Sequence, residues 1–433
     1  MEGLVGLLAD LVRVPTVNDP SSGLLVGPEQ GEEIRRILSR YGFDADLLVN
    51  EGVSILLHME GEGRPVVLFL AHFDVVPPGP GWRKTKPFEP LVEGGRLYGR
   101  GAADDKSNVA AIAWALRGYK PRKGTIIIAF TGDEEIGGRR GAGYLAEKLE
   151  REGLLPDYLV NGDGSLSRVI TRRRAAFTAS ITLKPEPAKG RGTPTARRFE
   201  TSVTRSTMHS AYFVPGVDRH ALTAASLWAR DHEALIAGLD GEWVKSNVLP
   251  RSIELTVLEG SGSGDYDEAL TRLVKSIVPL SRTPIPTERY SDYGVTINPN
   301  VYRREKGVHK LTLDIRAMTS RAETVEKTLA LTLREALPDG TLTVRGGGGY
   351  LYTSRDSRLV AESLKINADL GLPSEPVEAG GASDSRFYSP RGVEAIDYGP
   401  LGGNIHGPDE YVELEHLEKA ARFYRLIAER LAR

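Results

Sequence analysis

Two acidic pairs in neighbouring loops constrain this chain more than any other feature. One is Asp104-Asp105, inside Gly99-Arg100-Gly101-Ala102-Ala103-Asp104-Asp105-Lys106. The other is Glu134-Glu135, inside Thr131-Gly132-Asp133-Glu134-Glu135, directly after the apolar run Ile126-Ile127-Ile128-Ala129-Phe130. Like charges held together beside apolar elements raise each other's pKa and oppose folding. Divalent cations between them remove that cost, and oxygen-rich ligands with a few histidines suit zinc, manganese or cobalt. The fold must therefore bring acid-bearing loops to one place.

Four such loops each follow a predicted strand. Residues 65–70 form a continuous apolar run, the kind buried on both faces of a parallel or mixed sheet, and lead to Ala71-His72-Phe73-Asp74. His72 and Asp74 are two apart and point the same way on an extended chain, which suits a metal-bound imidazole oriented by a carboxylate. Residues 125–130 lead to Glu134-Glu135 and residues 157–160 to Asn161-Gly162-Asp163. Residues 393–398 precede the loop that reaches His406-Gly407-Pro408-Asp409-Glu410. In open α/β sheets ligands collect at the carboxyl ends of strands, so one shared site accounts for all four loops. A two-metal hydrolase is the chemistry this pattern supports: water between two divalent ions loses much of its pKa, and an unligated carboxylate nearby can take its proton. Adjacent Glu134 and Glu135 supply both roles if one faces the metal and the other the substrate.

At 433 residues the chain exceeds what one hydrophobic core usually supports, so two domains are expected. A net charge of −2 leaves no basic excess to neutralise phosphates, which argues against a nucleic-acid partner. The absence of cysteine excludes disulfides, thiolate nucleophiles and Cys-ligated zinc. The first twelve residues carry acids where a signal peptide would carry Lys or Arg. Their apolar positions Leu4, Leu7, Leu8 and Leu11 have helical spacing. With no apolar run near the roughly twenty residues that span a bilayer, no membrane association and a cytoplasmic location are expected.

Further helices are predicted at 29–41 and 107–118. From Ala176 the chain alternates through Phe177, Ala179, Ile181 and Leu183. Residues 184–205, rich in Pro, Lys, Arg, Gly and Thr, read as a mobile surface insertion. Helices at 218–230, 266–277 and 322–337 and strands at 253–258, 310–317 and 341–345 follow. This order suggests an α+β sandwich with one solvent-facing sheet side, a second domain over 176–352 inserted into a first made of 1–175 and 353–433. Gly346 to Gly349 lack the Lys-Ser/Thr of a phosphate loop and read as a hinge. No Gly-x-Ser-x-Gly elbow is present.

The ordered set His72-x-Asp74, Gly-Arg-Gly-x-x-Asp104-Asp105-Lys, Asp-Glu134-Glu135, Asp163 and His406-Gly-x-Asp-Glu resembles the dinuclear zinc amidohydrolases and peptidases. That family includes acetylornithine deacetylase, succinyl-diaminopimelate desuccinylase, aminoacylase, carnosinase and carboxypeptidase G. The strings Gly380-Gly381-Ala382-Ser383-Asp384-Ser385-Arg386-Phe387 and Asp314-Ile315-Arg316 are similar as well. The resemblance implies an α/β catalytic domain with a mixed, largely parallel sheet and an inserted ferredoxin-like lid through which two chains dimerise. It implies two Zn2+ (or Co2+ or Mn2+) bridged by Asp104, which is often joined to Asp105 by a cis peptide. One ion would be completed by His72 and Asp163 and the other by Glu135 and His406. Asp74 would hold His72, and Glu134 would be the general base. His209 would donate to the oxyanion from the lid, from its own or the partner subunit. The substrate's free carboxylate would be held by Asn300, Arg316 and the Gly380, Gly381 and Ser383 region, Arg being suited to bidentate carboxylate recognition. A salt bridge with Asp314 is the competing role for Arg316.

Some positions depart from the family pattern. Ser107 stands where many relatives have Gly, and Asp163 where many have Glu. Tyr302-Arg303 follows Asn300-Val301, and residues 184–205 and a helix near 266–277 enlarge the lid. The expected reaction is hydrolysis of an N-acyl amino acid or a short peptide with a free carboxylate, a deacylase or alternatively a dipeptidase/carboxypeptidase. Phosphoester hydrolysis and a non-catalytic metal-binding protein are the more distant alternatives.

Overall fold

The computed structural model describes residues 2–205, 207–289 and 294–432. Met1 of the first helix and Ser206 of the string before His209 lie outside the described residues. The chain divides into two compact units: Met1–Arg173 with Tyr350–Ala379 and Ser383–Arg433, and Arg174–Gly349 with Gly380–Ala382.

The first unit is built on a mixed nine-stranded sheet. Its centre is four parallel strands in the order Gly124–Thr131, Val66–His72, Tyr158–Asn161 and Glu394–Asp397. Antiparallel strands, among them Val53–Glu62 and Ile170–Arg173, flank them. All seven residues of Val66–His72 are buried because helices cover both faces. Val67, Phe69 and Ala71 join a core with Leu4, Leu8, Val109, Ile112 and Phe423. Val66, Leu68 and Leu70 join the opposite core with Ala142, Leu145 and Leu149. The two-residue period of a strand divides one apolar run between two cores. Each such side chain contributes about 1.5–3 kcal/mol, so a few of them outweigh the several kcal/mol that desolvating a charged loop costs. The strand register pairs His72 with Thr131, Leu70 with Asn161, and Asn161 with Asp397, so the four carboxyl ends open on one edge. A smaller sheet pairs Arg96–Tyr98, which precedes the Asp104 loop, with Tyr411–Glu413, which follows His406.

The second unit carries a four-stranded antiparallel sheet. Its strands Ala175–Leu183, Thr296–Glu305, Val308–Ala317 and Thr341–Gly346 lie in the spatial order second, third, first, fourth. With helices Glu268–Ser281 and Ala322–Ala336 between strands, this is the ferredoxin-like arrangement. Ala175–Leu183 alternates buried and half-buried residues along its whole length, as a one-sided sheet requires.

One expectation is overturned. Residues 184–205 are not a mobile insertion, because Pro187–Glu200 is a fourteen-residue strand paired antiparallel with Ser252–Asp267. The pairing supplies what the local sequence does not: backbone bonds along the ladder and a bidentate Arg197–Glu259 pair at 2.8–2.9 Å. The strand expected at 253–258 is correspondingly longer. The helix expected from 266 begins at Glu268, because Asp267 caps it by accepting from Leu270 N–H at 3.0 Å. Gly380–Ala382 groups with the second unit and not with the first: Gly380 N–H donates to Tyr212 Oη at 3.2 Å, and a side chain on Gly380 would meet that ring at 2.9 Å.

Candidate metal centre

Six of the expected residues meet at the open edge of the first unit's sheet. Candidate ligand atoms of His72, Glu134 and Asp163 lie within 4.8 Å of one another, as do those of Asp104, Glu135 and His406. Asp104 joins the two groups. Its Oδ1 is 3.1 Å from His72 Nε2 and its Oδ2 is 3.1 Å from His406 Nε2, which is also 3.1 Å from Glu135 Oε1. One carboxylate therefore offers one oxygen to each side.

Each side chain reaches this point for a local reason. His72 ends its strand. Its backbone N–H donates to Asp105 Oδ2 at 3.1 Å, and its Nδ1 lies 3.1 Å from the Asp74 carbonyl and 3.5 Å from Asp74 Oδ1. With Nδ1 beside these oxygens, the imidazole presents Nε2 to Asp104. Asp104 and Asp105 are joined by a cis peptide, and their carboxylates serve different partners. Glu134 and Glu135 begin a short 3-10 turn whose first two N–H groups both donate to Asp74, at 3.1 Å each. Asp74 thus orients the acidic pair as well as His72, and Asn18 Nδ2 donates to it at 2.8 Å. Asp163 stands two residues beyond Tyr158–Asn161, with Arg173 at 3.6 Å. His406 lies between Gly402–Gly403 and Tyr411–Glu413 and is the most exposed of the six, with half its side chain accessible.

The electrostatics call for positive charge. Burial, then Asp163 and Asp384, push the Glu134 carboxyl well above the carboxylate range. Burial, then Asp104 and Asp397, do the same to Asp163 against the pull of Arg173. Burial also raises Asp105 to about 7, Asp384 to about 7 and Asp133 to about 6. His406 is raised to about 10 by its bonds to Asp104 and Glu135. Protons on the histidines are a poor neutraliser for so many buried acids, and carboxylate oxygens with imidazole nitrogens are the donor set of a divalent first-row ion. The residues present fit a pair of such ions.

Supporting groups that sequence reasoning missed lie one layer out. Glu410 accepts from the loop that carries Asp104. Arg173 Nε donates to Asp397 at 2.5 Å, and Asp397 also receives Ser385 Oγ. Lys106 is fully buried, and its Nζ donates to the Leu11 and Val14 carbonyls at 3.0 and 2.6 Å. The buried polar residues at Arg100, Lys106 and Glu410 within the quoted motifs were the available signal. Ser383 Oγ and Asp384 Oδ1 are buried with no hydrogen-bond partner among the described residues.

The remaining expected residues belong to the second unit. His209 is half-buried. Its Nδ1 accepts from Ala211 N–H at 3.1 Å, and its Nε2 is 3.2 Å from the Asn247 side-chain amide. Burial, then Arg316, lower its pKa. Arg316 makes the bidentate Asp314 pair weighed against carboxylate binding, Nε and Nη2 at 3.0 and 3.1 Å. Asn300 is fully buried, its Oδ1 3.1 Å from His220 Nε2 and its Nδ2 donating to Ser246 O at 2.5 Å.

Residues 68–430 match the model of peptidase family M20/M25/M40. The chain is 27% identical over 450 residues to a succinyl-diaminopimelate desuccinylase of Xylella fastidiosa, covering 100% of this chain and 99% of that one. It is 28% identical over 411 residues to the enzyme of the same name from Xanthomonas campestris, covering 91% of each. Among solved structures, aminoacylhistidine dipeptidase from Vibrio alginolyticus aligns with a TM-score of 0.76 at 15% identity, over 99% of this chain and 96% of that one. An M20 metallo-carboxypeptidase from Sulfolobus solfataricus aligns with a TM-score of 0.62 at 16% identity, over 100% and 99%. The chain belongs to peptidase family M20/M25/M40 and is a metal-dependent hydrolase.

Proposed function

We propose that this chain is a dinuclear zinc deacylase that hydrolyses the amide of an N-acyl amino acid bearing a free carboxylate, an N-succinyl amino acid first among candidates. The observation that carries the metal assignment is Asp104, which sets one oxygen 3.1 Å from each of two histidine nitrogens. His72, Asp163 and Asp104 would hold one ion, and Asp104, Glu135 and His406 the other. Two divalent ions, when bound, supply Lewis-acid polarisation of the amide carbonyl and lower the pKa of water.

The chain's own residues do the rest. Glu134 is the general base. It stands beside His72 and Asp163, and its carboxyl has no hydrogen-bond donor among the described residues. It takes a proton from the attacking water and returns it to the leaving nitrogen. Asp74 keeps Glu134 and His72 in register. His209, whose Nδ1 is occupied by a backbone N–H and whose Nε2 faces the Asn247 side-chain amide at 3.2 Å, would exchange the Asn247 contact for an Nε2–H hydrogen bond to the oxyanion. Arg316 spends two nitrogens on Asp314 and keeps Nη1 for the substrate carboxylate, with Asn300, Gly380, Gly381 and Ser383 as further contributors. The proposal includes a homodimer formed through the second unit and a cytoplasmic location. No described helix is long and apolar enough to cross a membrane.

The deacylase assignment is supported by the desuccinylase relatives, which align over 91–100% of the chain. The test is a panel of N-succinyl-diaminopimelate, N-acetyl amino acids and dipeptides, assayed with zinc, cobalt or manganese. Turnover of acylated amino acids at least tenfold above dipeptides is expected. The reverse ranking would replace the deacylase with a dipeptidase, and turnover of a phosphoester alone would remove both.

A further inference from the structure

One fully buried carboxylate outside the ligand set touches the loop that carries the bridging aspartate. Glu410 lies four residues after His406, at the entry to Tyr411–Glu413. Its Oε1 accepts from the backbone N–H of Ala103 at 2.9 Å and of Asp104 at 3.1 Å. Its Oε2 accepts from Gly101 N–H at 3.1 Å and from Arg100 Nη1. Its backbone carbonyl accepts from Gly99 N–H at 2.9 Å. An ionised carboxylate has about four acceptor positions, and all four are taken by one six-residue loop. The charge is matched by Arg100, itself buried, which also donates to Pro78 O at 3.3 Å and lies 5.5 Å from the Trp82 ring. A buried carboxylate needs a cation beside it, and here the cation comes from the loop being held.

The arrangement couples two ligands. Asp104 N–H is fixed by Glu410, whose own chain segment delivers His406. Asp104 Oδ2 and His406 Nε2 then meet at 3.1 Å. We propose that Glu410 is a positioning residue that sets the spacing of Asp104 and His406, and so the affinity of the ion held by Asp104, Glu135 and His406. This inference rests on the dinuclear reading above. Groups that orient metal ligands typically cost 10–100-fold in metal affinity when changed.

The substitution Glu410→Gln tests it. Glutamine keeps the shape but presents an N–H2 group to donors, so it cannot satisfy Gly101 N–H and Arg100. Zinc is titrated against a competing chelator at a temperature where circular dichroism shows both proteins folded, and turnover is followed as free zinc is raised. The expected result is one ion bound as in wild type, the other 10–100-fold weaker, and kcat restored at high zinc with KM little changed. If Glu410→Gln fails to fold, Arg100→Lys is used in its place; it keeps the charge but not the fork, and a smaller loss of the same ion's affinity is expected. A folded Glu410→Gln chain that binds both ions with wild-type affinity overturns the inference. A wild-type chain that binds fewer than two ions overturns the dinuclear reading instead, so the two failures are distinguishable.

Discussion

The acids of this site divide by what their oxygens already do. Asp74 spends both on N–H donors from Asn18, Glu134 and Glu135, and Asp104 gives one to each of two histidines. Glu134 has its backbone fixed while its carboxyl is left without a hydrogen-bond donor among the described residues. A proton carrier needs that combination, because a carboxylate committed to hydrogen bonds loses basicity. Glu134→Gln keeps the volume and removes the base. Turnover is expected to fall about 10²–10⁴-fold while zinc content stays as in wild type, read by mass spectrometry of the purified proteins. Turnover within threefold of wild type would give the base role to another group.

At the scale of elements, His220 shows how a helix can carry a pH dependence. It caps Ala221–Asp231, its Nδ1 accepting from Leu222 N–H at 3.1 Å while Nε2 faces Asn300 Oδ1 at 3.1 Å. The Nδ1 contact requires the neutral ring, whereas Nε2–H donates to Asn300 in either state; burial outweighs that bond and lowers the pKa from 6.5 to about 4. The unfolded chain therefore binds a proton first as pH falls. The stabilisation is complete above pH 6.5 and is lost progressively down to about pH 4, a change on the order of 3 kcal/mol. Denaturant unfolding of wild type and His220→Asn should diverge across that window, the variant showing a shallower acid loss of stability. Parallel curves would show that this histidine is not held neutral. Elements also show where sequence patterns mislead. The apolar strand at Val66–His72 was legible because both of its faces are buried. Pro187–Glu200 was not, because Gly190, Pro194 and its many cations have poor strand preference, and its partner lies more than fifty residues away in Ser252–Asp267.

Across the whole molecule, the catalytic unit's α/β architecture was open to sequence reasoning, since motif loops following apolar runs imply a shared sheet edge, whereas the local pattern of the second unit gave only an α+β sandwich and its ferredoxin-like order came from the family resemblance. The convergence of His72, Asp104, Glu134, Glu135, Asp163 and His406 followed from that same logic. What could not be read was the layer behind them. Arg173, Ser385 and Asp397 meet only because Glu394–Asp397 lies beside both Tyr158–Asn161 and Ile170–Arg173. Glu410 reaches the Asp104 loop only through the pairing of Tyr411–Glu413 with Arg96–Tyr98. Such contacts depend on strand order, which no local pattern encodes.

Metal stoichiometry measures directly whether two cations share one aspartate. Chain stripped with chelator, reloaded with zinc and dialysed should carry two ions and regain its hydrolytic activity. Asp104→Ala, treated identically, should carry fewer than two and remain at background. A stripped wild-type chain that still hydrolyses its substrate, or an Asp104→Ala chain that binds two ions and turns over normally, would contradict the dinuclear reading.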